Sequence, residues 1–238
     1  MTDQTEPRLV FVHGAGATHK VWRYQTLAFP DSVALDLPGH PRGVGYSTIS
    51  EYAEFVTQAI KERGLSPVVL AGHSMGGAIA IDIALSHPRF LAGIALVGSG
   101  ARLRVSPIIK EGLTRDYEHT AEVIADWAYS PKSDAKLRKA SVQELLEVPP
   151  EVTYADFQAC DHFDKMNDIS RIDLPTLLVC GEDDALTPLK YSMYMKERIR
   201  NARIVIVPNA GHSVMLEKPD ELNNALRSFL ADISLSSR

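Results

Sequence analysis

The stretch VVLAGHSMGG, residues 68–77, decides the fold of this 238-residue chain. It joins an apolar, β-branched run to an apolar helical pattern at residues 75–86 through the motif Gly-x-Ser-x-Gly. A turn this sharp between a strand and a helix strains its central residue and requires small residues two positions to either side. The motif therefore predicts that the hydroxyl of Ser74 is exposed at the carboxyl end of a sheet, beside the positive end of a helix.

Short apolar runs alternate with helical patterns on both sides of this stretch. The predicted strands are Leu9–His13, Val33–Asp36, Val68–Gly72, Ile94–Val97, Thr176–Cys180 and Arg203–Val207. The predicted helices cover residues 19–28, 49–63, 75–86, 189–199 and 219–231. Each strand is apolar almost throughout, which is typical of strands buried on both faces of a parallel sheet. The alternation predicts an α/β fold with a mostly parallel sheet of about six strands, flanked by helices.

Residues 102–171 interrupt the alternation with several helical segments and no clear strand. Because a segment of this length exceeds an ordinary loop, we expect a helical cap inserted into a core of residues 1–101 and 172–238. The alternative is ordinary helical packing beside the sheet. Four aromatic residues are candidates for a substrate pocket under the cap: Trp127, Tyr129, Phe157 and Phe163. Each of them could instead fill the small core of the cap itself.

Composition excludes several classes of function. The formal net charge is −5 with no basic cluster, which argues against a nucleic-acid partner. No apolar run approaches the roughly 20 residues of a membrane span. Residues 1–7 are polar and acidic, unlike a signal peptide, and the two cysteines lack the spacing of a metal site. We therefore expect a reduced, cytoplasmic protein, either a monomer or a homodimer.

A serine hydroxyl needs a base with an orienting partner before it becomes a useful nucleophile. His212 is the best candidate base, because it lies on a glycine turn just after the last predicted strand. Loops at that end of a parallel sheet surround the ligand site. The turn after the strand that ends near Gly181 offers three acids that could orient His212: Glu182, Asp183 and Asp184. The turn Gly98-Ser99-Gly100 after the preceding strand offers no carboxylate.

On these motifs the chain resembles the α/β-hydrolases over nearly its whole length. Ser74, Asp184 and His212 follow the Ser–Asp–His order of that family, and its Gly-x-x-Asp turn selects Asp184 among the three acids. The resemblance also implies an oxyanion hole formed by the backbone N–H groups of Ala15 and Met75. It implies a fold that needs no metal and no cofactor for its reaction.

The glycine-rich turn HGAGATH, residues 13–19, also partly fits a dinucleotide-binding loop, with Asp36 near the position of a ribose-binding acid. The dinucleotide motif requires a third glycine where His19 stands, so the turn is better interpreted as the oxyanion-hole loop. A metal site among Asp156, Asp161, His162 and Asp164 is a further alternative, although their spacing assembles no clear ligand set.

Two features depart from the family pattern. Only eight residues precede Leu9, so we expect the family's N-terminal antiparallel hairpin to be missing. Pro41 and Arg42 follow Gly39-His40, where relatives more often have glycine and small polar residues.

The function we predict is a serine hydrolase that cleaves a small to medium carboxylic ester through an acyl-enzyme. The resemblance leaves alternatives for this chain within the same fold: a carbon–carbon bond hydrolase, a lactonase, a cofactor-free haloperoxidase or a hydroxynitrile lyase. The motifs do not separate these activities from ester hydrolysis. A receptor that retains the fold but turns over slowly is an alternative of a different class. Tight ligand binding without turnover of esters would distinguish that receptor from the enzyme.

Overall fold

The computed structural model describes residues 6–236, and six parallel strands form the sheet within them. Residues 1–5, part of the amino-terminal stretch discussed above, lie outside the described residues. The strands are β1 (Arg8–Val12), β2 (Val33–Leu35), β3 (Val68–His73), β4 (Leu91–Val97), β5 (Thr176–Gly181) and β6 (Ala202–Val207). The prediction of a parallel sheet of about six strands is confirmed. β4 begins three residues earlier than predicted, because Leu91 pairs with Val68 beyond a register shift.

Helices cover both faces of the sheet. A 3-10 helix, His19–Trp22, leads into α1 (Arg23–Ala28), and the other core helices are α2 (Ile49–Glu62), α3 (Met75–Leu85), α8 (Leu189–Arg198), α9 (Val214–Glu217) and α10 (Pro219–Ser236). Between β4 and β5 lie α4 (Pro107–Arg115), α5 (Tyr117–Ala128), α6 (Ala135–Leu146) and α7 (Pro150–His162), with a 3-10 turn at Ile169–Arg171. Sequence analysis missed α9, since four residues are too few to establish a helical period.

Alternate strand residues supply two separate hydrophobic clusters, one on each face of the sheet. Val10 and Leu70 belong to the cluster that includes buried residues of α2 and α3. Phe11 and Val69 belong to the cluster that includes Trp22 and residues of α10. Burial on both faces explains why these strands lack a polar alternation in the sequence.

The strand order, β2-β1-β3-β4-β5-β6, places the functional edge of the sheet. The chain runs outward from β1 to β2 and then crosses back to β3 on the other side of β1. In open α/β sheets, ligands bind at such a reversal, outside the carboxyl ends of the strands. The loops that follow β1 and β3, which begin at His13 and Ser74, therefore meet at the expected ligand crevice.

The four helices between β4 and β5, together with the chain that joins them to the sheet, have a small core of their own. Ile109, Leu113 and Ile124 are buried together there, with Leu145 beside them. The two ends of this segment meet in an antiparallel bridge between Arg102 and Asp164. α7 also packs on the sheet-covering layer, because Ala159 and Cys160 belong to the same cluster as α3. We call these four helices, residues 107–162, the helical insertion.

Candidate active site

Ser74 occupies the turn between β3 and α3 in the strained conformation that its motif predicts. Its backbone has φ 52° and ψ −113°, a conformation that residues other than glycine rarely adopt. The flanking glycines make the turn possible, because a Cβ on Gly72 would lie 2.1 Å from the carbonyl oxygen of Gly76. A Cβ on Gly76 would lie 2.3 Å from the carbonyl oxygen of Val12 on β1. The tight packing of three backbone segments therefore holds Ser74 at the edge of the sheet.

His212 and Asp184 form a buried pair at the carboxyl ends of β5 and β6. The Nδ1–H of His212 donates to Asp184 Oδ2 at 3.0 Å, with Oδ1 at 3.2 Å. Since a carboxylate only accepts hydrogen bonds, this contact places a proton on Nδ1, so Nε2 is the ring nitrogen left to exchange a proton. His212 lines the same cavity as Ser74. The geometry therefore places an oriented imidazole and a strained serine in the lining of one cavity.

Thr187, which sequence analysis missed, completes the environment of Asp184. Its backbone N–H donates to Oδ1 at 2.8 Å, its hydroxyl donates to Oδ2 at 2.8 Å, and the N–H of Leu186 donates to Oδ1 at 3.0 Å. Burial alone would raise the pKa of Asp184, but the charge and hydrogen bond of His212 and the donors of Thr187 lower it to about 2. Asp184 is therefore an ionised acceptor at neutral pH. A threonine three residues after an aspartate in a turn was the available sequence signal.

A second histidine, His73, supports the ring of His212. The two ring centroids lie 4.6 Å apart, and His73 Nε2–H donates to the carbonyl oxygen of His212 at 3.2 Å. Burial, together with the neighbouring His212, lowers the pKa of His73 well below its usual value, so this ring is neutral. Gly98 lies against the ring of His212, since a Cβ on Gly98 would lie 3.0 Å from His212 Nδ1. The orientation of His212 is fixed by these close contacts as well as by Asp184.

Glu217 anchors the loop that carries His212. Its Oε1 accepts the backbone N–H of Gly211 at 2.8 Å, and its Oε2 accepts that of Ser130 at 2.9 Å. Gly211 is required here, because a Cβ would lie 2.6 Å from the backbone nitrogen of Ser130. The chain just after α5 is thereby joined to the histidine loop. Sequence analysis did not single out Glu217, whose partner Ser130 is 87 residues away.

The residues proposed for an oxyanion hole flank Ser74. Met75 is the first residue of α3, so its N–H has no acceptor within the helix. Ala15 is half-buried and lines the cavity in the loop after β1. Gly14 brings this loop close to the turn that carries Ser74, since a Cβ on Gly14 would lie 3.1 Å from Ser74 Cβ. The loop after β1 and the N-terminus of α3 therefore both lie next to Ser74.

The cavity at Ser74 has a volume of about 230 Å³. Three of the four aromatic candidates, Trp127, Tyr129 and Phe157, line it. Phe163 lies elsewhere: the residue is 5% exposed and belongs to the hydrophobic cluster that includes residues of α3 and α7. Most of the remaining lining is apolar and comes from the helical insertion and from the loops after β1 and β5, for example Ile109, Ile124, Leu145, Ala17 and Leu186.

The loop HGAGATH makes protein contacts in place of those expected for a dinucleotide site. Asp36, the possible ribose-binding acid, accepts both the backbone N–H and the ring Nδ1–H of His19, each at 2.7 Å. His13 donates from Nδ1 to the carbonyl of Gly14 at 2.9 Å and accepts the N–H of Leu37 at Nε2 at 3.0 Å. Burial and the nearby His40 lower the pKa of His13 to about 4, so the ring is a neutral brace between the loops after β1 and β2.

The acids considered for a metal site point to different partners. Asp161 pairs with Lys110 at 2.6 Å, whereas Asp164 pairs with Arg102 at 3.3 Å. Among residues 6–236, no three His, Cys, Asp or Glu side chains gather as metal ligands would. Both cysteines are free and buried, and burial raises the pKa of Cys180 to about 12 and that of Cys160 well above its usual value.

Asp156, on α7, is fully buried and binds three elements of the core. Its Oδ2 accepts the backbone N–H of Gly16 at 3.0 Å and Nε2–H of His40 at 2.8 Å. Its Oδ1 accepts the hydroxyl of Tyr52 at 2.7 Å. Sequence analysis considered Asp156 only as a metal ligand and missed His40 and Tyr52. The signal was a carboxylate within the buried face of a helix, which requires polar partners.

Comparison with known proteins gives consistent matches over almost all of the chain. The model of the Alpha/beta hydrolase family matches residues 9–225. The pimeloyl-acyl-carrier-protein methyl ester esterase of Nitrosomonas europaea is 26% identical, over 90% of this chain and 92% of that protein. Among solved structures, a thermophilic esterase is 34% identical, with a TM-score of 0.84 over 94% of this chain and 90% of its own.

Similarity of fold extends to proteins of lower identity. The enol-lactonase of Burkholderia xenovorans LB400 has a TM-score of 0.88 at 18% identity, covering 97% of this chain and 94% of that chain. At this identity the match establishes the shared fold alone.

Within residues 6–236, every helix is too short or too polar to cross a lipid bilayer.

Proposed function

This chain belongs to the alpha/beta hydrolase family, and from that premise we propose that it is a serine hydrolase of small to medium carboxylic esters. The observation that carries the proposal is the shared cavity of Ser74 and His212, with Nδ1 of His212 hydrogen-bonded to a buried carboxylate. A strained serine and an oriented imidazole are the two parts that nucleophilic acyl transfer requires. Esterases among its relatives and solved neighbours support the same class of substrate.

In the proposed reaction, Nε2 of His212 takes the proton of the Ser74 hydroxyl as the oxygen attacks the ester carbonyl. The tetrahedral intermediate collapses to an acyl-enzyme, and the protonated ring gives its proton to the departing alcohol. Water, activated by the same nitrogen, then hydrolyses the acyl-enzyme to the acid. Asp184 stays ionised, holds the tautomer of His212 and stabilises the imidazolium as it forms.

The developing oxyanion is stabilised by two backbone donors in this proposal, the N–H groups of Ala15 and Met75. The positive end of α3 adds to the stabilisation, since Met75 is the first residue of that helix. Loss of one such donor costs on the order of 10²–10³ in rate in related chemistry. No metal or cofactor takes part in any step.

The helical insertion forms the roof of the site and selects the substrate. We assign residues 102–171 to a cap and residues 1–101 and 172–238 to the hydrolase core. Trp127, Tyr129 and Phe157 line the cavity and favour an uncharged, apolar acyl or alcohol group. A cavity of about 230 Å³ suits an ester of small to medium size.

Burst kinetics with short- and medium-chain p-nitrophenyl esters test this proposal. We expect the native protein to release one equivalent of p-nitrophenol rapidly and then turn over steadily, and Ser74→Ala to lose at least about 10³ of the rate. Ser86→Ala is the matched control, because Ser86 follows α3 at its far end and is exposed. Full activity in Ser74→Ala, or no turnover of any ester by a folded native protein, would overturn the proposal.

A further inference from the structure

Asp156, a fully buried carboxylate on α7, binds the helical insertion to the loop that carries Ala15. The side chains of Asp156 and His40 are both 0% exposed. Three donors from separate core segments converge on the carboxylate: Gly16 N–H, His40 Nε2–H and Tyr52 O–H. Tyr52 is itself fixed, since its oxygen accepts the backbone N–H of Tyr46 at 3.0 Å. None of these groups takes part in the reaction proposed above.

The arrangement around His40 identifies the charges. Nδ1 of His40 lies 3.0 Å from the carbonyl oxygen of Pro38, which can only accept a hydrogen bond. Nε2 lies 2.8 Å from Asp156 Oδ2, which already accepts the N–H of Gly16. Both ring nitrogens therefore face acceptors, and the hydrogen bond and charge of Asp156 raise the pKa of His40 and favour the doubly protonated ring. The buried carboxylate is neutralised without losing its capacity to accept from the loop.

Gly16 is enclosed by α7 on two sides. Its N–H is held by Asp156, and its Cα faces Thr153 so closely that a Cβ would lie 2.9 Å from Thr153 Cγ2. Gly16 adopts φ +60°, a left-handed conformation that glycine allows. The N–H of Ala17 donates to the carbonyl of Gly14 at 3.3 Å, which closes the turn. The orientation of the peptide that bears the Ala15 N–H is therefore set by its neighbours on both sides.

We propose that Asp156 is a positioning residue, which reaches from the helical insertion to fix the Gly14–Gly16 loop so that the Ala15 N–H meets the oxyanion. This inference rests on the proposed function, because it assigns the loop a role in stabilising the tetrahedral intermediate. Preorganised donors stabilise such an intermediate only when they are held in place before the reaction. The insertion thus contributes to transition-state stabilisation in addition to shaping the pocket.

A purely structural role for Asp156 makes a different prediction. If Asp156 only docks α7 on the core, its loss lowers stability and leaves the chemical step of the folded molecules unchanged. If it positions the loop, its loss lowers kcat with little change in KM. The same loss then weakens a trifluoromethyl ketone, which forms a tetrahedral adduct on Ser74, by a similar factor.

The experiment compares Asp156→Ala, Asp156→Asn and Asp156→Glu in the full chain, with p-nitrophenyl esters and the trifluoromethyl ketone as probes. We expect Asp156→Ala to lower kcat and ketone affinity on the order of 10–10²-fold, less than deletion of an oxyanion donor. Asp156→Asn keeps an acceptor for the N–H of Gly16, so we expect its kcat and ketone affinity to be close to those of the native protein. Asp156→Glu keeps the charge but displaces the acceptor by one methylene, so we expect it to lower kcat and ketone affinity as Asp156→Ala does.

Asp161→Asn is the matched control on the same helix. Asp161 accepts from Val105 N–H and from Lys110, and neither of these hydrogen bonds reaches the loop after β1. We expect kcat and ketone affinity of Asp161→Asn within twofold of the native protein, a margin on the order of 0.4 kcal/mol. Thermal unfolding of every variant separates loss of fold from loss of rate.

Native kcat and ketone affinity in folded Asp156→Ala and Asp156→Glu would overturn the positioning role. If Asp156→Ala does not fold, Asp156→Asn and Asp156→Glu decide the question by the same comparison. Failure of the proposed function would look different, because Ser74→Ala would then retain ester turnover and the ketone would not bind at Ser74 in the native protein.

Discussion

Two buried aspartate–histidine pairs lie in this structure, and they differ in which ring nitrogen meets the carboxylate. In the first, Asp184 meets Nδ1 of His212, and the ring lines the cavity beside Ser74. In the second, Asp156 meets Nε2 of His40, and the other ring nitrogen is hydrogen-bonded to the carbonyl of Pro38. The ring nitrogen that does not contact the aspartate determines whether the histidine can transfer a proton. His212 has a nitrogen available for proton transfer, whereas His40 has both committed to the protein.

The two pairs also differ in which partner has a shifted pKa: the aspartate in the first pair and the histidine in the second. At the first pair, the charge and hydrogen bond of His212 outweigh burial and lower the pKa of Asp184 to about 2. At the second, burial alone would lower the pKa of His40, but the hydrogen bond and charge of Asp156 raise it overall. The lesson is that an aspartate–histidine contact identifies a base only when the far side of the ring opens to the site.

The largest expected effect separates the two histidines by rate. We expect His212→Gln to lose at least about 10³ in kcat/KM on p-nitrophenyl esters, because glutamine cannot accept the Ser74 proton. Its fold should persist, since Leu186 and Thr187 still donate to Asp184. Steady-state kinetics and circular dichroism on the same preparation check this expectation. More than a tenth of native kcat/KM in His212→Gln would mean that the base is another group.

The next effect separates the pairs by stability. His40→Leu leaves Asp156 buried without its counter-ion, so we expect a loss of about 3–5 kcal/mol in the free energy of unfolding. His212→Gln should lose less than half as much, because Asp184 keeps its donors from the turn. Urea denaturation at pH 7 measures both variants. If His212→Gln proved the more destabilised of the two, the assignment of His40 as the structural cation would be wrong.

The smallest effect is a dependence of stability on pH with opposite slopes on either side of about pH 6.5, the ordinary pKa of histidine. The folded-state pKa of His40 is raised, so its stabilising charge is fully present below pH 6.5 and is lost as the pH rises through the folded-state pKa. His13, with its ring centroid 4.8 Å from that of His40, has a pKa lowered to about 4. Its contribution is therefore lost as the pH falls from 6.5 towards 4.

Urea denaturation between pH 4 and pH 9 measures this profile, and His40→Leu is the informative variant. The alkaline slope should shrink in that variant, while most of the acid slope remains because burial is the main cause of the lowered pKa of His13. The other groups that face His40 are Asp156, His13 and Tyr52, and burial together with Asp156 raises the pKa of Tyr52. An alkaline slope that is equally steep in His40→Leu would assign it to a different group.

The sequence predicted the fold well, because its main determinants are local. Residues 68–77 predict the strand, the strained turn and the buried helix together, and the six apolar runs predict the parallel sheet. The placement of His212 and three acids in loops at the carboxyl ends of neighbouring strands predicts a histidine–acid pair, and the resemblance to the α/β-hydrolases selects Asp184 among the three. Its geometry agrees with the predicted arrangement, while the catalytic roles of these residues stay predictions.

The network of Asp156 could not be predicted in the same way. Its donors lie 104, 116 and 140 residues away in the chain, so no motif or period brings them together. The aromatic candidates show the same limit, because Phe163 and Phe157 are six residues apart yet only Phe157 lines the cavity. Contacts between the insertion and the core depend on how α7 docks, which local patterns do not specify.

The most direct test of the central claim is peptide mapping by mass spectrometry of enzyme quenched in acid during turnover of a short-chain p-nitrophenyl ester. We predict an acyl adduct on the peptide that contains Ser74, formed at the rate of the burst and absent from Ser74→Ala. Steady turnover with Ser74 unmodified, or an adduct on another residue that persists in Ser74→Ala, would contradict the account.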